Sequence, residues 1–202
     1  HVRSRRQRQM CIRDRLISRG GQLIAAPAWF VAHFPTQKLD GELWLGRNKF
    51  AETLSIVSKA TPIDSEWLQV AYYIFELPDA PGSFSQRITL MQQLVLQQNS
   101  PYLKLVPQFR LASKKQLQAK LHELEQVGAE GLMLHHQDAA YTTGRSNALL
   151  KLKTYQDTEA EVIGYRPGKG KYQGMVGALV VKMPDGKTCL LYTSDAADDS
   201  LR

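Results

Sequence analysis

The run Val70-Ala71-Tyr72-Tyr73-Ile74-Phe75-Glu76-Leu77 is nearly continuous in apolar residues and is stopped by Pro78. Such a run suits a strand buried on both faces. Shorter signals surround it. Leu16 to Ile24 alternates about Gly20-Gly21 and predicts a hairpin. Leu39 to Leu45 reads as a short strand. Phe50, Leu54 and Val57 fall at the spacing of one helical face, as do Ile88, Met91, Leu94 and Val95 within Arg87 to Leu96. Leu103 to Leu111 is a strand broken by Pro107. Ser113 followed by Gln116 predicts a capping box, opening a helix with Leu117, Leu121 and Leu124 on one face and Gly128 at its end. Strands Gly131 to His135 and Leu149 to Tyr155 follow. From Glu159 onward only strands and turns are read: strands Glu161 to Tyr165 and Val176 to Met183, then the turn Pro184-Asp185-Gly186. That change of texture places a domain boundary near Gln156.

At 202 residues the chain has room for one domain, or for one and part of a second. A charged fraction of 22% and a hydrophobic fraction of 43% fit a soluble globular protein. No apolar run reaches about 18 residues, which excludes a membrane-spanning helix. The net charge of +7 invites a nucleic-acid reading, but its location weakens that inference. Residues 1–15 carry +5 through Arg3, Arg5, Arg6, Arg8, Arg13 and Arg15 against Asp14. Residues 189–202 carry −2, which leaves +4 for residues 16–188. Both cysteines, Cys11 and Cys189, lie in these flanks, so the middle has neither a disulfide nor a cysteine-based metal site. The basic head has the composition of a nucleic-acid-binding arm. The head and the tail Leu190 to Asp199 also resemble translated sequencing-adapter read-through, and both flanks are expected to be non-native.

Several short constellations carry candidate chemistry. Leu150-Lys151-Leu152-Lys153 sets two lysines on one side of a strand. Their ammonium groups repel unless an anion such as phosphate lies between them. An edge strand with one wet face fits the same pattern. Glu130-Gly131-Leu132-Met133-Leu134 puts a carboxylate just before an apolar strand, either as a Mg²⁺ ligand or in a solvated turn. Asp40-Gly41-Glu42-Leu43-Trp44 places Glu42 in an apolar strand, where it needs a partner if buried. In Tyr72-Tyr73-Ile74-Phe75 an aromatic is suited to stacking on a nucleobase or to the core. Ser18-Arg19-Gly20-Gly21 sets an arginine at a hairpin tip, in reach of a phosphate or of solvent. His135 and His136 have no second metal-ligand pair at useful spacing and are read as non-functional.

Each signal is weak alone, but their order is specific. Ser18-Arg19-Gly20-Gly21, Asp40-Gly41-Glu42-Leu43-Trp44, Tyr73 to Pro78, Glu130 to Leu134 and Leu150 to Lys153, taken in sequence, resemble the covalent nucleotidyltransferase superfamily. Thr143-Gly144-Arg145-Ser146-Asn147 leading into Leu149 to Lys153 is similar to the small bacterial ATP-dependent DNA ligases. Gly168-Lys169-Gly170-Lys171-Tyr172 and Gly174 to Ala178 resemble the opening strands of the ligase OB domain. The resemblance covers residues 16–188. It implies an α+β fold: an ATP-grasp-like nucleotidyltransferase domain of mixed and antiparallel sheets with flanking helices over 16–155, then the first strands of an OB-fold barrel over 156–188. It implies nick sealing in duplex DNA through lysyl-AMP and DNA-adenylate, in repair, recombination and replication. ATP would be the AMP donor and Mg²⁺ or Mn²⁺ the metal.

By the same resemblance, Arg19 contacts the nicked DNA end and Glu42 serves the ribose side of the nucleotide pocket. Phe75 stacks on adenine, and Glu130 supports the metal. Lys151 and Lys153 neutralise the α-phosphate, and Lys169 and Lys171 lie on a DNA-tracking surface. Phosphoryl transfer gains chiefly from such positioning and charge neutralisation. The expected working unit is a monomer on nicked DNA, cytoplasmic, or periplasmic if a leader preceded it. An RNA ligase or capping-type nucleotidyltransferase shares most of these motifs, and an inactive nicked-DNA-binding fragment is the non-enzyme alternative.

The nucleophile is the largest departure. The family uses a lysine in K-x-D-G-x-R, and Lys38-Leu39-Asp40-Gly41 imitates its start. Position 43 is Leu rather than Arg, and Lys38 follows the Ser-Arg-Gly element that the nucleophile should precede. The lysine is therefore expected upstream, where Arg3 to Arg15 stand, and this chain is expected not to self-adenylate.

Overall fold

The computed structural model describes residues 9–12, 15–154 and 158–192. The arginines at 3, 5, 6, 8 and 13, the tail from Thr193 and the boundary residue Gln156 lie outside the described residues. Two compact units are present, one ending at Lys153 and the other beginning at Thr154.

The first unit runs β1 (Gln9–Ile12), β2 (Arg15–Ile17), β3 (Leu23–Ile24), α1 (Ala28–Val31), β4 (Leu39–Trp44), α2 (Phe50–Val57), α3 (Asp64–Trp67) and β5 (Ala71–Glu76). It continues through α4 (Phe84–Gln98), β6 (Leu103–Leu105), α5 (Lys114–Gln126), β7 (Leu132–His135) and β8 (Leu149–Leu152). Six strands form one sheet in the order β3-β2-β1-β4-β5-β6. All its pairs are antiparallel except β5 with β6, whose parallel alignment requires the crossover through α4. β7 and β8 form a separate antiparallel ribbon, with Met133 opposite Lys151. The fold is α+β, as the motif order implied.

The expected hairpin is present, with Leu16 opposite Ile24 and Gly21 at φ +81°. β1 lies between β2 and β4, with Cys11 opposite both Leu16 and Leu39. The core covers one face of the sheet. Leu16, Leu39, Leu43, Tyr72, Ile74 and Leu103 pack there against Phe30, Ile56, Val57, Trp67, Met91 and Leu94 from α1 to α4. The aliphatic, Phe and Met side chains among them each contribute about 1.5–3 kcal/mol on burial. The Tyr72 hydroxyl donates to the Leu39 carbonyl at 3.1 Å, so its polar end is satisfied.

Four local expectations are corrected. β5 is fully buried on one face only: Tyr72 and Ile74 are inaccessible, whereas Tyr73 and Phe75 are half-buried. Helices α1 to α4 pack on the first face, and the second is more open at Tyr73 and Phe75. α2 buries Thr53, Ile56 and Val57, while Phe50 and Leu54 are exposed. Thr53 can be buried because its hydroxyl donates back to the Lys49 carbonyl at 2.8 Å. The strand from Leu103 stops at Leu105: the Val106 N–H donates to Ile74, and Pro107 has no N–H to continue the ladder. At α5, Ser113 accepts from the Gln116 N–H, but Gln116 reaches to Ala112 rather than back to Ser113. The reciprocal capping box is at α4, between Ser83 and Gln86.

The second unit contains β9 (Glu161–Pro167), a short 3₁₀ turn Gly170–Tyr172, β10 (Val176–Lys182) and β11 (Thr188–Tyr192). They form an antiparallel sheet in the order β11-β10-β9, and no closed barrel is present among the described residues. β11 runs past the expected domain end at 188, with Cys189 opposite Val181 and Tyr192 opposite Ala178. No helix among the described residues is long and apolar enough to cross a membrane.

Candidate active site

The more open face of the sheet is built by strand alternation. In β4, Leu39 and Leu43 enter the core, which sends Asp40, Glu42 and Trp44 to the other side. Gly41 lets the strand lie close to β5, because a Cβ there would stand 2.6 Å from the Tyr73 carbonyl oxygen. Glu42 is opposite Tyr73, and Tyr73 is opposite Lys104 of β6, so acid, aromatic and amine form a row across three strands. Trp44 meets Tyr73 edge to face at 5.1 Å, and the Lys104 ammonium lies 5.8 Å from the centre of the Tyr73 ring. Asp40 pairs with Glu76 and Gly41 with Ile74, so Phe75 is the extra residue of a β-bulge. Bulges of this kind re-aim a side chain.

The β7–β8 ribbon carries the charged part. Glu130 stands immediately before β7, followed by Gly131 at φ +140°. A Cβ at 131 would run into the Leu152 carbonyl oxygen, so only glycine admits this close strand start. Across the ribbon the Lys151 ammonium donates to Glu130 Oε2 at 2.9 Å. The anion expected beside Lys151 is thus supplied by the protein itself. Lys153 follows β8 and is exposed. Glu130 and Lys151 are therefore brought together, while Glu42 and Phe75 share the six-stranded sheet. No group of three or more His, Cys, Asp or Glu suited to a metal occurs among the described residues.

Arg19 is at the exposed tip of the β2–β3 turn, where the Ser18 side chain accepts from the Gln22 N–H at 3.1 Å. In the second unit Lys169 is exposed just before the 3₁₀ turn, and Lys171 lies within that turn. The Lys38 amine pairs with Asp79 at 3.1 Å.

One group of residues was missed by the sequence reading. Arg87 is fully buried and makes a two-pronged pair with Glu76, through Nε to Oε1 at 2.6 Å and Nη2 to Oε2 at 2.9 Å. His135 stands 3.9 Å from Glu76 Oε2. Its burial pushes the imidazole pKa below the ordinary value; Glu76 opposes that shift and Arg87 reinforces it. The available signal was Glu76 itself, a carboxylate inside the apolar run, which required a partner.

Residues 4–153 match the family model of the ATP dependent DNA ligase domain. The chain belongs to the ATP-dependent DNA ligase family. A DNA ligase of Haemophilus influenzae is 33% identical over 172 residues, covering 85% of this ligase-family chain and 63% of the relative. The chain thus spans somewhat under two thirds of that relative's length. A solved structure from work on DNA binding by Lig E DNA ligases superposes with a TM-score of 0.87 at 40% identity, over 93% of this chain and 73% of the other. The Chlorella virus DNA ligase-adenylate shares the fold, with a TM-score of 0.61 at 20% identity, over 96% of this chain and 78% of the other.

Proposed function

We propose that this chain is the nucleotide-handling part of a DNA ligase that seals nicks in duplex DNA. The full reaction moves AMP from ATP through an enzyme lysine to the 5′-phosphate of the nick, then joins that phosphate to the 3′-hydroxyl with release of AMP. The observation that carries this reading is the Glu130–Lys151 contact at 2.9 Å, between the residue ahead of β7 and the end of β8, with Lys153 just beyond that strand. It sets a carboxylate and two amines on one short ribbon, the residue types that phosphate chemistry requires.

The chain's own groups divide the work. Phe75, at the bulge, supplies the adenine platform. Glu42, on the same sheet, serves the ribose side. Lys151 and Lys153 neutralise the α-phosphate as pyrophosphate departs, and Lys151 must exchange Glu130 for the phosphate as it does so. Arg19 meets the DNA end, while Lys169 and Lys171 track the backbone from a second unit of OB type.

The donor chemistry at Glu130 fits Mg²⁺ or Mn²⁺. It is an exposed carboxylate without a rival three-ligand cluster among the described residues, and Mg²⁺ typically takes one or two carboxylates and completes its shell with substrate phosphates and water. When bound, the ion would supply further neutralisation of phosphate charge.

Calorimetric titration with ATP and salt-dependent binding to nicked against intact duplex test this reading. Saturable ATP binding and a preference for the nicked duplex are expected; a chain that binds neither overturns it. Incubation with labelled ATP and Mg²⁺ followed by denaturation is expected to leave no label on the protein, because the sequence holds no lysine in the K-x-D-G-x-R pattern. A label that disappears in Lys38→Ala would make Lys38 the nucleophile and overturn the motif assignment.

A further inference from the structure

The first turn of α4, Ser83 to Arg87, is a seam between the six-stranded sheet and the β7–β8 ribbon. Its conformation is fixed by the Ser83–Gln86 capping box. On the sheet side, Arg87 grips both carboxylate oxygens of Glu76, the residue after Phe75. Glu76 Oε1 also accepts from the Leu77 N–H at 3.0 Å. On the ribbon side, Arg87 Nη1 donates to the Ala139 carbonyl at 3.2 Å; the same nitrogen donates to the Gly82 carbonyl, just before α4, at 2.7 Å. The Ser85 N–H and hydroxyl both donate to the Gln137 carbonyl, at 2.9 and 3.1 Å. The Phe84 ring lies 3.6 Å from that of His135, the last residue of β7.

A two-stranded ribbon is marginal by itself and takes its position from what it packs against. A buried ion pair adds little stability over an apolar pair of the same shape. What the guanidinium adds is direction, because its planar fork bonds to three chain segments at fixed angles.

We propose that Glu76 and Arg87 are positioning residues for the nucleotide site: their buried pair, bonded onward to Ala139, sets the ribbon that carries Glu130 and Lys151 against the strand that carries Phe75. The consequence for nucleotide rests on the ligase reading; the consequence for the ribbon does not. Arg87→Lys keeps the charge and loses the fork, so it separates geometry from electrostatics. Ser85→Ala removes the hydroxyl bond to Gln137, and with it a 3.5 Å contact from Arg110, at a half-buried residue, and leaves the buried pair in place.

Amide hydrogen exchange on the full chain, combined with ATP titration, tests the proposal. In Arg87→Lys, amides of 132–135 and 149–152 are expected to exchange about tenfold faster or more. Those of Gly41 to Leu43 and Tyr72 to Ile74 are expected to keep their protection, while ATP affinity falls. Ser85→Ala is expected to give the same local pattern at smaller amplitude, and it decides the matter if Arg87→Lys does not fold. Unchanged ribbon exchange in the folded variants, or acceleration spread evenly over the sheet, overturns the proposal. Wild-type chain that binds no ATP overturns the ligase reading instead, leaving the ribbon result to stand or fall separately.

Discussion

Lys151 and Glu130, 21 positions apart in sequence, meet at 2.9 Å across the β7–β8 ribbon. Both side chains are partly open to solvent, so the contact is weak as a support and available as a binding element. Lys151→Met is therefore expected to change stability by about 1 kcal/mol or less. ATP affinity is expected to fall about tenfold or more, since a hydrogen bond to a charged group is removed. Thermal melts and calorimetric titration of the same preparation check the two halves.

Phe75→Ala is expected to weaken ATP binding by about 1–3 kcal/mol, the usual loss when a base loses its aromatic platform. Tyr73→Ala, on the same strand and beside Lys104, is expected to lose less. Comparison of the two titrations locates the platform. Equal losses would count against Phe75 as the stacking residue.

Gly131→Ala brings a Cβ into the Leu152 carbonyl at a backbone angle that side chains avoid. The expected cost is about 2–4 kcal/mol, read as a lower urea midpoint. Gly144→Ala, whose Cβ would meet nothing within 4 Å, serves as the strained but unclashed control and is expected to cost less.

His135 gives the fold a pH dependence of defined sign. Desolvation is the largest influence on its imidazole and lowers the pKa below 6.5; Glu76 opposes the shift, Arg87 adds to it, and the neighbouring His136 acts weakly both ways. In the unfolded chain the ring recovers its ordinary value, so below about pH 6.5 the unfolded state takes up a proton that the folded state refuses. Stability from this group is complete above that value and declines as pH falls toward the folded pKa. Urea unfolding at about pH 7.5 and about pH 5.5 is expected to show a larger loss in wild type than in His135→Gln.

The sequence made some of this legible for local reasons. The hairpin at Gly20-Gly21, the strand at Leu39, the capped helix after Ser113 and the start of the ribbon at Gly131 are set by neighbours within a few residues. The α+β class followed from the order of the motifs. Sequence spacing placed both lysines on one side of a strand read from Leu149 to Tyr155 but could not show that Glu130 would reach Lys151, because that contact depends on the register of Met133 against Lys151. The buried face of α2 went to Thr53 and Ile56 rather than Phe50 and Leu54, since a threonine that bonds its own backbone can be buried. Arg87 was hidden for a similar reason. At its helical position it reads as an exposed arginine until the strand end at Glu76 and the loop at Ala139 are placed around it.

β1 is seated between β2 and β4, and both of its edges are taken up by main-chain hydrogen bonds. Those donors and acceptors are identical for every residue except proline, so the slot selects for an extended course before it selects for side chains. Without that filament the sheet parts into a hairpin and a three-stranded remainder, each with a raw edge open to any passing strand. The integrity of the Glu42 face thus depends on a four-residue bridge whose chemistry is almost entirely that of the peptide bond.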